Sequence, residues 1–322
     1  MGQLIEGKWS TAWYTPDALG RFVRGQTVFH DRVSADGSTR FPAASGRYHL
    51  YVSYACPWAH RTLIVRKLKR LEQAISISVV DPFMGSDGWA FSSGPGATPD
   101  TVNGAAFLRD IYVKANPEYT GRVTVPVLWD KKEGTIVNNE SREIVRMLDT
   151  QLDAFGDPGV TLWPEALRAR VDEVITEIYM PVNNGVYRAG FAVSQEAYEQ
   201  AVTEVFDALD RWEGVLDRQR FLCGDVLTEA DVFMFTTLLR FDPVYYSHFK
   251  CNLRQIVDYP NLWGFVRDVY QTPGVAETCN LDHIKQHYYR SHEGINPTRI
   301  VPKGPIIDYG APHDRARRFG AG

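Results

Sequence analysis

Cysteine is scarce and scattered in this chain: Cys56, Cys223, Cys251 and Cys279 are the only four among 322 residues. No two of them form a CxxC pair or a zinc-ligand spacing, which excludes a recognisable redox dithiol or structural zinc site. In a reducing cytosol all four are expected as free thiols, so redox chemistry at any one would be monothiol or would use a partner from outside the chain. Long apolar runs are absent too, and nothing approaches the about 20 residues that a membrane-spanning helix needs. There is no excess of basic charge: 35 Lys and Arg stand against 39 Asp and Glu, a net charge of −4. No positive field therefore recruits nucleic acid or an anionic membrane. The stretch MGQLIEGKWSTAW lacks an apolar core of the secretory kind, and Glu6 stands where a myristoylation signal carries Ser or Thr. A soluble cytoplasmic protein is the expectation, and no internal repeat is visible.

What is present is globular in composition: 44% hydrophobic, 12% aromatic and 23% charged, with length for two ordinary domains. Residues 1–46 hold aromatics and turn formers without periodicity (Trp9, Trp13, Tyr14, Phe22, Phe29 and Phe41) and read as an ordered extension packed on something else. The alternation in RYHLYVSY predicts a strand over Arg47–Tyr54, CPWAHRTLIVRKLKRLE a helix with Pro57 in its first turn, and AISISVVD a second strand. Strand–helix–strand order implies a right-handed crossover and parallel pairing. A Gly/Pro/Ser loop follows over 82–103, then a short helix in GAAFLRDIYVKAN, strands in RVTVPVLWD and GTIVN joined by KKEG, and a helix in ESREIVRMLDTQ. Beyond DAFGDPGVTLWP the strand signal nearly vanishes, and residues 165–180, 194–218, 228–241 and 261–270 show helical apolar spacing. Thr228 and Asp231 in LTEADVF predict a reciprocal helix cap. The reading is an extension over 1–46, an α/β domain over 47–155, an all-helical domain over 156–294 and an irregular tail over 295–322.

Three features of the α/β half point to chemistry. Cys56 sits where a strand hands over to a helix, and the unpaired amides and dipole of a helix start favour thiolate over thiol. His60 and Arg61, a turn further on, are placed to add positive charge. For Cys56 alone, a buried small hydrophobe is the competing reading. Pro126 in TVPV falls inside an expected strand, where a residue without an N–H is tolerated only at an edge or a special turn. A cis Val125–Pro126 bond there would leave the main chain of Val125 free for an extended ligand. Glu140 and Ser141 in NNES stand at a helix start, a place that also suits a carboxylate or phosphate. An ordinary polar cap is the alternative. Together and in this order, the three match what a thioredoxin-like fold requires.

The halves resemble a glutathione transferase, with a thioredoxin-like α/β N-terminal domain and an all-α C-terminal one. CGDVLTEADV and YPNLWGFVRDVYQTPGV resemble that superfamily's helical-domain motifs. YACPWAHR, GRVTVPVLWD, NNESREI, NNGVYRAGF, IKQHYYRSH and INPTRIVPKGP resemble, within it, the Xi class of glutathionyl-hydroquinone reductases, over nearly the whole chain. The resemblance implies that Cys56 is the nucleophile and that Glu140 and Ser141 hold the γ-glutamyl end of glutathione. Val125 would pair with its cysteinyl backbone ahead of Pro126, with Trp89 and Arg122 lining the rest of that site. Tyr187, Tyr288 and Tyr289 would face an aromatic substrate, with Tyr187 and Tyr288 assisting the leaving group; buried structural tyrosines are the alternative.

The implied reaction needs glutathione as cosubstrate and neither metal nor flavin. A single thiolate would take the glutathionyl group from a glutathionyl-hydroquinone, and a second glutathione would regenerate it with release of oxidised glutathione. The rival readings are an omega-like thiol transferase or dehydroascorbate reductase, distinguished by the leaving group, and a non-catalytic transferase-like module. The superfamily also implies a homodimer.

Overall fold

The computed structural model describes residues 2–12 and 14–320; Met1, Trp13, Ala321 and Gly322 lie outside the described residues, and with them Trp13 of the aromatic extension. The chain forms two compact units that are not contiguous in sequence. The first gathers the described part of Met1–Trp13 with Arg24–Val160 and Glu277–Val301. The second gathers Tyr14–Val23, Thr161–Ala276 and the described part of Pro302–Gly322.

In the first unit the extension is more regular than its sequence suggests. β1 (Gln3–Ile5) and β2 (Lys8–Ser10) pair antiparallel around Glu6 and Gly7, both at positive φ. β3 (Val33–Ser34) and β4 (Phe41–Pro42) form a short parallel pair. The main sheet begins with β5 (Tyr48–Val52), all five residues of which are buried, as a central strand demands. It continues through α1 (Pro57–Leu68), β6 (Ser76–Val79), α2 (Leu108–Ala115), β7 (Gly121–Arg122), β8 (Val127–Asp130), β9 (Thr135–Asn138) and α3 (Ser141–Thr150). Sheet order is β6-β5-β8-β9, with β5–β6 parallel as the crossover predicts and the other pairs antiparallel. β7 instead pairs with β1.

Two expectations are corrected here. α1 ends at Leu68 rather than running to Glu72, because Arg70 takes a left-handed φ of 54°. Pro126 lies just before β8 instead of within a strand: having no N–H, it has no donor to give the ladder, which starts at Val127.

The second unit is helical: α4 (Arg168–Ile178), α5 (Gly185–Gly190), α6 (Gln195–Leu216), α7 (Glu229–Arg240) and α8 (Pro260–Gln271). All 12 residues of α7 are buried, so it is the axis of this unit. Its start carries the reciprocal cap expected from Thr228 and Asp231: the Asp231 carboxylate accepts from the Thr228 amide at 2.8 Å and hydroxyl at 2.7 Å. Burial pushes the Asp231 carboxyl up to about 6. The tail, expected to be irregular, is so except for α10 (Arg315–Phe319), which follows α9 (Leu281–Ser291) of the first unit in the chain. Buried Arg315 spans the end of α6 by donating to the carbonyls of Leu216, Gln219 and Arg220, and the Tyr309 hydroxyl donates to the Leu239 carbonyl of α7.

His49, buried on β5, lies between the Ser76 and Ser78 hydroxyls at 2.7 and 3.0 Å, and burial lowers its pKa to about 4. The unfolded chain therefore binds a proton that the folded one refuses. This contribution to stability is complete above the ordinary histidine range near pH 6.5 and is lost as pH falls through about 4. In an NMR titration of the native protein the His49 ring should stay neutral at pH 5.5, with its midpoint near 4. A midpoint near 6.5 would mean that the ring reaches solvent.

Candidate active site

Register brings three of the candidate segments to one end of the sheet. Tyr51 pairs with Val127 and Leu128 with Asn138, so the end of β5, the start of β8 and the end of β9 lie side by side. The segments leaving that end hold Cys56, Val125–Pro126 and Glu140–Ser141. Cys56 is the N-cap of α1, half-buried, with Pro57 as the first helical residue. Its Sγ lies 3.5 Å from the Val125 carbonyl, and the Val125–Pro126 peptide is cis. First-turn amides of a helix have no intrahelical acceptor, so the thiol sits where an anion is favoured.

Glu140 caps α3, its carboxylate accepting from the Arg142 amide at 3.2 Å. Ser141 is buried; its hydroxyl accepts from Arg61 Nη1 at 3.2 Å and donates to Glu140 at 3.4 Å. Arg61 thus carries positive charge beneath the α3 start, and its guanidinium also lies 4.3 Å from the Trp58 ring. His60, fully buried, is hydrogen-bonded to Thr278 at 2.9 Å and lies 3.8 Å from Cys279 Sγ.

The extension also reaches this helix start. Thr27 Oγ1 donates to Glu140 at 3.4 Å, the Phe29 amide to Asn139 at 3.2 Å, and His30 pairs with Glu143 at 3.1 Å. The hydrogen bond to Glu143 raises the pKa of His30. None of these contacts is legible in the sequence, because the extension has no periodicity to orient it.

Trp89 lies in the long loop after β6, buried, with its carbonyl accepting from the Leu108 amide at 2.9 Å. Its indole stacks on His287 of α9 at 4.7 Å. The loop is also gripped by β2, where the Trp9 indole N–H donates to the Ser86 carbonyl at 2.8 Å. Arg122, on β7, donates to the Ala12 carbonyl at 2.7 Å. Tyr288 and Tyr289 are buried on α9 in this unit, the Tyr288 ring edge-on to His287 and His292. Tyr187 belongs to the second unit, on α5, among the rings of Phe191, Tyr245 and Phe249. The sequence signal for the His287 contact is the four-residue spacing in HIKQHYYRS, which marks one face of a helix.

Among the described residues, no cluster of three His, Cys, Asp or Glu side chains could hold a metal ion, and no helix is long and apolar enough to cross a membrane. All four cysteines are free thiols. Residues 55–151 match the glutathione S-transferase N-terminal domain family and 195–268 the glutathione S-transferase C-terminal domain family. The chain is 55% identical to glutathionyl-hydroquinone reductase YqjG of Escherichia coli (strain K12), over 99% of this chain and 100% of that one. It superposes on a Xi class GST from Natrialba magadii with a TM-score of 0.94 at 54% identity, covering 98% and 97% of the two chains. With the glutathione-bound structure of YqjG from Escherichia coli K-12 the TM-score is 0.90 at 54% identity, covering 99% and 100%.

Burial pushes the Cys223 and Cys251 thiols up to about 12, which leaves them protonated at neutral pH. Iodoacetamide applied to the native protein at neutral pH should therefore alkylate Cys56 while sparing Cys223 and Cys251 until denaturant is added. Peptide mapping checks this, and early labelling of Cys251 would contradict its burial.

Proposed function

The chain belongs to the Xi class of glutathione transferases, the glutathionyl-hydroquinone reductases, and we propose that it reduces glutathionyl-hydroquinones to hydroquinones in the cytoplasm, as a homodimer. The observation that carries this reading is the single thiol of Cys56 at a helix start, beside the Val125 carbonyl and on the same sheet end as Glu140 and Ser141.

In the first step the Cys56 thiolate attacks the sulfur of the glutathionyl group. A sulfur–sulfur bond forms, the aromatic carbon–sulfur bond breaks, and the electron pair leaves with the aromatic carbon, which takes up a proton. In the second step a glutathione thiolate attacks the glutathionyl sulfur of the mixed disulfide, giving oxidised glutathione and restoring Cys56. The net reaction consumes one glutathione and one glutathionyl-hydroquinone and yields one hydroquinone and one oxidised glutathione. A transferase that activates glutathione with a hydroxyl would favour conjugation; a cysteine instead captures the sulfur itself.

Glu140 and Ser141 are assigned to the γ-glutamyl group, with Arg61 supplying positive charge behind Ser141. Val125, next to Pro126, stands outside the β5–β8 ladder, which supports its pairing with the cysteinyl backbone. Trp89 and Arg122 are assigned to the remainder of glutathione. Tyr187, Tyr288 and Tyr289 are assigned to the aromatic group, with Tyr187 and Tyr288 supplying a proton as charge develops there.

Cys56→Ser should abolish turnover of a glutathionyl-hydroquinone, since a serine cannot form the mixed disulfide. Mass spectrometry of wild type treated with oxidised glutathione should find one glutathione on Cys56, and near-normal turnover by the variant would remove Cys56 from the mechanism. Ser141→Ala and Glu140→Gln should each weaken glutathione binding by about 1.5–3 kcal/mol, the worth of a hydrogen bond to a charged group, an effect read as a raised KM. An unchanged KM would move the γ-glutamyl site elsewhere. The Tyr187→Phe, Tyr288→Phe double variant should lose rate on a glutathionyl-hydroquinone while keeping exchange with a small mixed disulfide, whose thiolate departs without a proton donor. An unchanged ratio of the two rates would favour the thiol-transferase reading. Size-exclusion chromatography with light scattering tests the dimer, which a monomer mass would contradict.

A further inference from the structure

His283, His287 and Ser291 recur every fourth residue of α9 and so share one stripe of its surface. All three grip the same object, the loop between β6 and α2 that bears Trp89. His283 Nε2 donates to the Pro95 carbonyl at 2.7 Å, and His287 Nδ1 donates to the Pro82 carbonyl at 3.0 Å. Ser291 Oγ accepts from the Met84 amide at 3.0 Å. A carbonyl only accepts, so its partner nitrogen must carry a proton in both rings. Gly96 belongs to the same clasp: its φ is +78°, and a Cβ there would stand 2.5 Å from His283 Nε2.

With its backbone anchored to Leu108, the indole of Trp89 keeps only its side-chain rotations, and the flat contact with His287 restricts those. The rings are 4.7 Å apart and 22° from parallel. The hydrogen bond to Pro82 fixes the imidazole, and the fixed imidazole fixes the indole.

We propose that His287 is a positioning residue for Trp89, setting the orientation of the indole in the glutathione site. The proposal rests on the assignment of Trp89 to glutathione given above. His287 acts on affinity for glutathione and not on the chemistry at sulfur. Because Tyr288 and Tyr289 follow it on the same helix, the Trp89 loop and these two tyrosines are held as one piece.

The test compares full-length wild type, His287→Ala, His287→Phe, Trp89→Ala and the His287→Ala, Trp89→Ala double variant. Two readouts are used: glutathione kinetics and the Trp89 indole N–H resonance, identified by its loss in Trp89→Phe. His287→Ala should displace that resonance and raise the KM for glutathione several-fold, up to about tenfold, the worth of an aromatic stack. Its kcat at saturating glutathione should stay within about twofold of wild type. His287→Phe keeps a flat ring and should recover most of the loss. In the Trp89→Ala background, His287→Ala should add less than about a twofold change, because the residue it acts through is gone.

An equal rise in KM in both backgrounds would make His287 a general structural residue and overturn the proposal. An unmoved indole resonance would overturn it as well. If Trp89→Ala itself leaves the KM unchanged while His287→Ala still displaces the resonance, the assignment of Trp89 to glutathione has failed. The stack would then be real, and its role in binding refuted.

Discussion

Proline at position 126 has no amide proton to donate, and the antiparallel ladder between β5 and β8 begins one residue later, at Val127. That missing donor falls where the chain leaves the sheet. Because Val127 is opposite Tyr51, the departing segment passes beside the end of β5, where the chain turns into α1. The Val125 carbonyl consequently stands 3.5 Å from Cys56 Sγ. A ladder reaching two residues further would enclose the main chain of Val125 in the sheet and leave the thiol facing a strand edge. The catalytic arrangement proposed for this chain follows from a strand that stops early.

A second constraint ties the thiol's helix to the helix assigned to glutathione. Arg61 is one turn past the start of α1, and its buried guanidinium reaches Ser141 at the start of α3. A buried arginine needs acceptors, and the hydroxyl of Ser141 is one of them. The start of α3 is held from its other side by the extension, through Thr27 and Glu140, Phe29 and Asn139, and His30 and Glu143. This part of the extension thereby packs on the start of the helix assigned to glutathione, and Phe29 within it stacks on Tyr119 at 5.6 Å and meets Tyr112 edge-on. The same arrangement recurs around Trp89, where β2 and α9, from opposite ends of the chain, grip one loop.

Features set by a few neighbouring residues were legible in the sequence. The helix start at Cys56–Pro57, the reciprocal cap of Thr228 and Asp231, the parallel β5–β6 pair and the apolar face of α3 all depend on spacings of four residues or fewer or on short strand–helix–strand order. The run of motifs was sufficient to recognise the family, and the glutathione transferase fold came with it. Pro126 was legible as an anomaly but not as a boundary: the strand pattern of RVTVPVLWD continues through it, whereas the strand itself begins at Val127.

Partner choice over long separations was decided by tertiary structure. The His287–Pro82 hydrogen bond spans 205 residues and the His60–Thr278 bond 218, and nothing in the spacing of either pair predicts them. Helical periodicity can show that a histidine stripe exists on α9. It cannot show that the stripe faces the sheet unit, because an amphipathic face specifies burial and not what buries it. Arg61 illustrates the same limit, since its position suggested a charge for Cys56 and its buried environment directed the guanidinium to Ser141. Chemistry was written in local residue types, whereas orientation depended on which distant polar groups had to satisfy one another once water was excluded.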